Sequence, residues 1–227
     1  MDRQAVAAIA ALDDDVRSAL YAFVRDADGP ITREAAADAV GISRKLAAFH
    51  LDKLVAAGLL AARIEALGAR RVGRTPKVYE PAGTDIAVHV PPREPQVLAE
   101  ILVQAVVTEG ADERAGEAAL RVAHERGIAL GEDERARLRP GRVGAERAMT
   151  LASTVLEQHG FEPCRAAGTV RLRNCPFHPL AASAPELVCG LNHAFLSGML
   201  EGLHAQAAVD AVLVPRAGAC CVELRPR

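Results

Sequence analysis

Residues 89–95 read HVPPREP, and this stretch constrains the chain more than any other. Each proline fixes its own φ and disfavours the helical conformation in the residue before it, so neither helix nor central strand runs through the segment. The 227 residues are thereby divided into an N-terminal unit at 1–88, a proline-rich linker at 89–95 and a larger part at 96–227. A chain of this length buries a core without disulfide staples. A second break, LRPGRVG at 138–144, falls between two helical patterns and is expected to be an internal loop.

The N-terminal unit reads as alternating helices and caps. Asp13 or Asp14 caps a helix whose apolar side is Val16, Leu20, Phe23 and Val24, and Thr32 caps a shorter one that Gly41 stops. Ser43 caps a third helix, with Leu46, Phe49, Leu51, Leu54 and Val55 expected on or near one apolar side. Two strands follow, LLAARIEAL and PKVYEPA, around the loop GARRVGRT. Helix, short helix, turn, longer helix and basic hairpin is the order of a winged helix-turn-helix. Net charge is −2, so contact with nucleic acid must come from a local patch. Ser43, Arg44 and Lys45 at the start of the third helix, with His50 further along it, form one candidate patch. Arg70, Arg71, Arg74 and Lys77 on the hairpin form the other.

Over about residues 13–83 the chain resembles the winged helix-turn-helix domains of bacterial ArsR-like and MarR-like transcription regulators, most closely in GISRKLAAFHLDKLVAAGLL and VGRTPKVYEPA. The resemblance implies that the helix beginning near Ser43 enters the major groove of operator DNA and that the wing reaches backbone or minor groove. It also implies a homodimer on a palindromic site.

From 94 to about 159 the pattern is mainly helical, in QVLAEILVQAVV, RAGEAALRVAHERGIAL and ERAMTLASTVLEQHG. The resemblance implies that these helices make the dimer, and the alternative is that they pack on the C-terminal domain of the same chain. Beyond Gly160 the pattern changes to paired strands FEPCRAA and TVRLRNC, a helix APELVCGLNHAFLSGMLEGL, and a closing pair AAVDAVLVP and CCVELRP. The expected fold class is therefore α+β: a winged helix-turn-helix, central helices and an antiparallel α+β domain.

All five cysteines lie in that last part. Cys164, Cys175 and Cys189 are separated by ten and thirteen residues, and Cys220 and Cys221 are adjacent. Thiolates suit zinc or an iron–sulfur cluster, and intervals this wide favour a cluster held between elements over a zinc knuckle. Cys220 or Cys221 supplies the fourth thiolate, and strand alternation leaves that choice open. His178 and His193 are alternative ligands of a mixed zinc site. With the winged helix, the cysteine pattern resembles SufR-type iron–sulfur-binding repressors, which implies that a cluster controls DNA binding. The competing reading is a regulator that responds to a small apolar ligand, with structural zinc or no metal. No phosphate-binding loop, paired acidic motif or nucleophile elbow is evident, so an enzyme is not expected. The N-terminus carries acidic residues where a signal peptide has an apolar stretch, and a cytoplasmic protein without membrane contact is expected.

Overall fold

The computed structural model describes residues 3–65, 75–141, 144–216 and 218–227. The chain divides into two compact units, Met1–Val88 and His89–Arg227.

The first unit runs α1 (Arg3–Ala11), α2 (Asp15–Arg25), β1 (Ile31–Thr32), α3 (Arg33–Val40), α4 (Arg44–Ala56), β2 (Leu60–Ile64) and β3 (Lys77–Pro81). Its helix starts are set by side-chain caps. Asp14 Oδ1 accepts from the Arg17 amide at 2.9 Å, Thr32 Oγ1 from Ala35 at 3.2 Å and Ser43 Oγ from Leu46 at 3.2 Å, each satisfying an amide with no partner inside its helix. Gly41 ends α3 in the left-handed region, φ 73°, where a side chain would be strained. The three strands form an antiparallel sheet in the order β1-β3-β2. Leu20, Val24, Leu51, Leu54, Leu60 and Tyr79 make the core. Helix α1 has no counterpart in the sequence reading. Its buried residues are Ala5 and Ala8, while Val6 and Ile9 are exposed, so the larger apolar residues gave no inward-facing period.

The second unit contains α5 (Pro95–Val107), α6 (Ala115–Leu138), α7 (Ala145–Gln158), β4 (Pro163–Ala166), β5 (Thr169–Leu172), the short α8 (Leu180–Ser183), α9 (Pro185–Gly202), β6 (Val209–Leu213) and β7 (Val222–Pro226). The four strands form an antiparallel sheet in the order β4-β5-β7-β6. One sheet face, carrying Val170, Leu172, Val222 and Leu224, is buried in a core shared with α5, α6, α7 and α9. The other face carries Arg171, Glu223 and Arg225. There Glu223 is buried beneath Arg216 at 3.1 Å, Arg225 at 2.7 Å and Arg171 at 4.0 Å. The fold is thus mixed α+β, a helix-turn-helix unit followed by a helix-backed antiparallel sheet.

Helices α6 and α9 meet at backbone distance. A Cβ on Gly127 would overlap the Phe195 carbonyl, one on Gly131 the Met199 carbonyl, one on Gly198 the His124 carbonyl and one on Gly202 the Ile128 carbonyl. Two glycines four residues apart on each helix lie on one face, and together they remove the side-chain layer that normally separates packed helices. The proline-rich segment is also fixed. Asn174 Nδ2 donates to Pro92 O at 2.8 Å and Gly160 O at 2.6 Å, Arg93 donates to Cys175 O at 3.0 Å, and the Glu94 amide to Pro176 O at 2.9 Å. Residues 92–94 therefore belong to the second unit rather than to a free linker.

Gly198→Ala forces the two backbones apart, at a cost of about 3 kcal/mol or more. Gly190→Ala, whose Cβ meets only Leu120 Cδ2 at 3.4 Å, is expected within about 1 kcal/mol of wild type. Chemical denaturation of the two variants measures the difference, and equal midpoints would contradict the close packing.

Candidate nucleic-acid interface and thiol site

Helix α4 presents its first turn to solvent. Arg44 and Lys45 are exposed just after the Ser43 cap, and the turn holds no acidic residue. Backbone amides and cationic side chains at such an end suit phosphates and base edges. The buried stripe of α4 is Ala47, His50, Leu51 and Leu54. Leu46 and Phe49 do not join it, contrary to expectation, and are 41% and 55% exposed. At about 100° per residue, Phe49 falls with Lys45 and Asp52 on the side opposite that stripe.

His50, expected among the DNA contacts, is instead 8% exposed. Its Nδ1 lies 3.9 Å from Asp14 Oδ1 and has no hydrogen-bond partner among the described residues. Its ring packs edge-on to Phe49, with centroids 5.3 Å apart. The Arg17 amide hydrogen bond, with smaller help from the Arg17 and His50 charges, holds the half-buried Asp14 carboxyl below its usual range.

Lys77 is engaged within the unit. Its Nζ is 2.6 Å from Asp52 Oδ1, and the Tyr79 hydroxyl donates to the same oxygen at 3.1 Å, tying α4 to β3. Burial first, then Asp52, pushes the Tyr79 hydroxyl well up, so it stays a donor. Arg70, Arg71 and Arg74 lie outside the described residues.

In the second unit four thiols meet. Cys175 lies in the loop after β5, Cys189 on the second turn of α9, and Cys220 and Cys221 directly before β7. The loop is anchored by Phe177, whose ring packs edge-on to Phe161 at 6.4 Å and Phe195 at 6.3 Å. Cys220 is positioned by its amide, which donates to Leu172 O at 2.9 Å, and by fully buried Asn192, whose Nδ2 donates to its sulfur at 3.1 Å.

Neighbouring thiols act on one another, Cys175 with Cys220, Cys220 with Cys221 and Cys221 with Cys189, and so differ in how readily each gives up its proton. The Cys220 bond holds Cys175 below its ordinary value. Cys221 is held down to about 6 by Cys220 first, with Cys189 and Asn192 adding to it against burial. Burial and the bond to Cys221 push Cys189 up to about 12. Cys220 is pushed up by its bonds to Cys175 and Cys221.

Cys175, Cys189 and Cys221 line a cleft of 430 Å³ with His178 and Arg216. An adjoining cleft of 330 Å³ shares Cys175 and His178 and adds Arg93 and Asn174. His193 points elsewhere, its Nε2 3.0 Å from Ala211 O on β6. Cys164 does not join the other thiols. It pairs across the sheet with Arg171 on the face opposite Leu172, and its sulfur contacts Arg165 O at 3.9 Å and the Arg173 side chain. Of the expected set, Cys175 and Cys189 lie with both Cys220 and Cys221, and Cys164 lies apart from them. Asn192 went unnoticed in the sequence, although its place three residues after Cys189 puts both on one side of a helix.

The donor chemistry suits a soft metal or a cluster. As the side chains stand, no group of three or more His, Cys, Asp or Glu residues among those described could hold a metal ion.

A family model described as a helix-turn-helix domain matches residues 12–63, covering α2, α3, α4 and most of β2. No curated protein matches the chain. The match supports a DNA-binding transcription regulator. No helix among the described residues is long and apolar enough to cross a membrane.

Alkylation of Cys221 by iodoacetamide in the reduced protein is expected to reach half its maximal rate near pH 6, against about 8.5 for a free thiol. Cys189→Ser weakens the thiolate's support and moves the midpoint upward, whereas Cys164→Ser leaves it in place. Peptide-resolved mass spectrometry across pH reads all three, and a midpoint near that of a free thiol would remove the stabilised thiolate.

Proposed function

We propose that this chain is a homodimeric transcription regulator that binds operator DNA through α4 and the hairpin around Lys77, with Cys175, Cys189, Cys220 and Cys221 as its sensing element. The observation that carries the reading is the meeting of four thiols from a loop, a helix and a strand in a chain with a helix-turn-helix. The sensed species is an iron–sulfur cluster or the redox state of these thiols. A cluster supplies a one-electron redox centre that also ties the three segments together. No described group is arranged to hold a metal as it stands, and the thiols' place on three separate elements makes loading a change in packing.

That change has a physical route inside the second unit. Cys189 and Asn192 ride on α9, α9 lies backbone to backbone on α6, and α6 is bonded to α5 through Arg126 and Glu100 at 2.6 Å. The outer side of α5 exposes Val103, Val106 and Val107 at 64%, 71% and 79%. A symmetric dimer through these valines accounts for their exposure and links thiol state to the pairing of two recognition helices.

Anaerobic reconstitution of the full chain with iron and sulfide is expected to give a visible chromophore in wild type and in Cys164→Ser. Cys175→Ser, Cys189→Ser and the Cys220→Ser/Cys221→Ser double variant are expected to lack it, and DNA affinity follows occupancy. Stoichiometric zinc in a colourless protein would replace the cluster with a zinc site. Operator binding indifferent to every cysteine substitution would favour a small apolar ligand in the cleft. Separately, Arg44→Ala/Lys45→Ala lowers specific operator affinity at least about tenfold in a folded protein; unchanged affinity removes α4 from the interface.

A further inference from the structure

The chain has five phenylalanines and two tyrosines, and among them Phe49 alone stands in solvent, 55% exposed, while the others are buried or half-buried. The unit that carries it has an apolar core of its own, with Leu20, Leu51 and Leu54 at 0% and Tyr79 at 1%. Phe49 is therefore not a core residue left partly uncovered. It lies on the opposite side of α4 from the buried stripe, a half-turn of the helix away.

Its surroundings narrow what covers it. Lys45 shares its face one turn earlier, Lys53 Nζ lies 5.6 Å from its ring centre, and Asp52 on the same side is paired with Lys77. Leu46, 41% exposed, borders it. A protein partner docking on one phenyl ring and one leucine between two lysines would gain little apolar contact and would bury charge without pairing it. A polyanion pairs those cations at its phosphates. Within the major groove of B-DNA one base-edge group is apolar, the C5 methyl of thymine, and phenylalanine is among the side chains that contact it.

We infer that Phe49 is a specificity-determining residue that reads a thymine methyl in the major groove. The inference rests on the DNA-binding reading of α4 and adds to it a base preference that Arg44 and Lys45 do not supply. Those two favour phosphate or guanine, whereas a phenyl ring gains from a methyl and gains nothing from the cytosine edge, whose amino donor it leaves unpaired. Phe49 lies four residues beyond Lys45, about 6 Å along the helix axis, so the thymine is about two base-pair steps from the position Lys45 reaches. The ring is held for this role. His50 packs edge-on against it from the buried side, at 5.3 Å, and limits its motion before DNA arrives.

The test uses the full chain and a duplex recovered by selection from random sequence. Each thymine of one half-site is replaced in turn by deoxyuridine, which removes the methyl and keeps the base pair. One position is expected to weaken wild-type binding about fourfold, the worth of one buried methyl. Phe49→Ala weakens the parent duplex about tenfold and becomes indifferent to uracil at that position, while its salt dependence stays that of wild type. Phe49→Leu retains part of the methyl sensitivity. Phe49 is exposed, so both variants are expected to keep the thermal midpoint of wild type. Wild type binding every uracil duplex as it binds the parent overturns the inference, as does a Phe49→Ala variant that stays equally sensitive to the methyl. Failure to select any duplex sinks the DNA-binding reading itself, and this inference with it.

Discussion

Helices α6 and α9 touch through their backbones, and the geometry of the second unit follows from that contact. Four glycines at matching intervals let carbonyl oxygens of one helix occupy the space where Cβ atoms of the other would stand. Packing this close leaves no side-chain layer to absorb small displacements, so the pair moves as one body. Because α9 also carries Cys189 and Asn192 and packs under the sheet, its placement decides where two members of the thiol site lie relative to β7.

The thiol site itself depends on which face of the sheet each residue takes. Cys164 and Cys220 both lie beside β5, yet Cys164 sits across from Arg171 on the arginine-bearing face, while Cys220 turns inward to Asn192. Alternation along a strand makes such neighbours in the sheet strangers in chemistry. The outward face is organised around buried Glu223 and its arginines, the inward cleft around four thiols. Within that cleft neighbouring thiols hold Cys221 below its ordinary value and, with burial, push Cys189 and Cys220 above theirs, an inequality that adjacency alone does not give.

In the first unit the local rules acted as their chemistry requires. Asp14, Thr32, Ser43 and Gly41 cap the helices that their positions announced, because capping needs only the residues within one turn. Helix phase was less accessible. Leu46 and Phe49 read as core and His50 as surface, whereas α4 is rotated so that His50 and Ala47 are covered and Phe49 is not. That rotation buries Ala47, His50, Leu51 and Leu54, and it goes with Asp52 binding Lys77 and Tyr79 on β3, 25 and 27 residues away.

By itself the sequence determined the order of the longer elements after α1, the caps and the confinement of every cysteine to the last part of the chain. These are properties of local spacing and of residue type, which act within a few positions. Tertiary structure alone decided that residues 92–94 are bonded to the 174–176 loop, that Cys164 stands apart and that Cys220 and Cys221 both join Cys175 and Cys189. Each of those outcomes turns on strand register, helix rotation or a glycine contact between helices about seventy residues apart. A one-residue shift of strand register reverses which side chain faces inward and one along a helix turns it by about 100°, and only the packing of the whole unit selects the arrangement that is adopted.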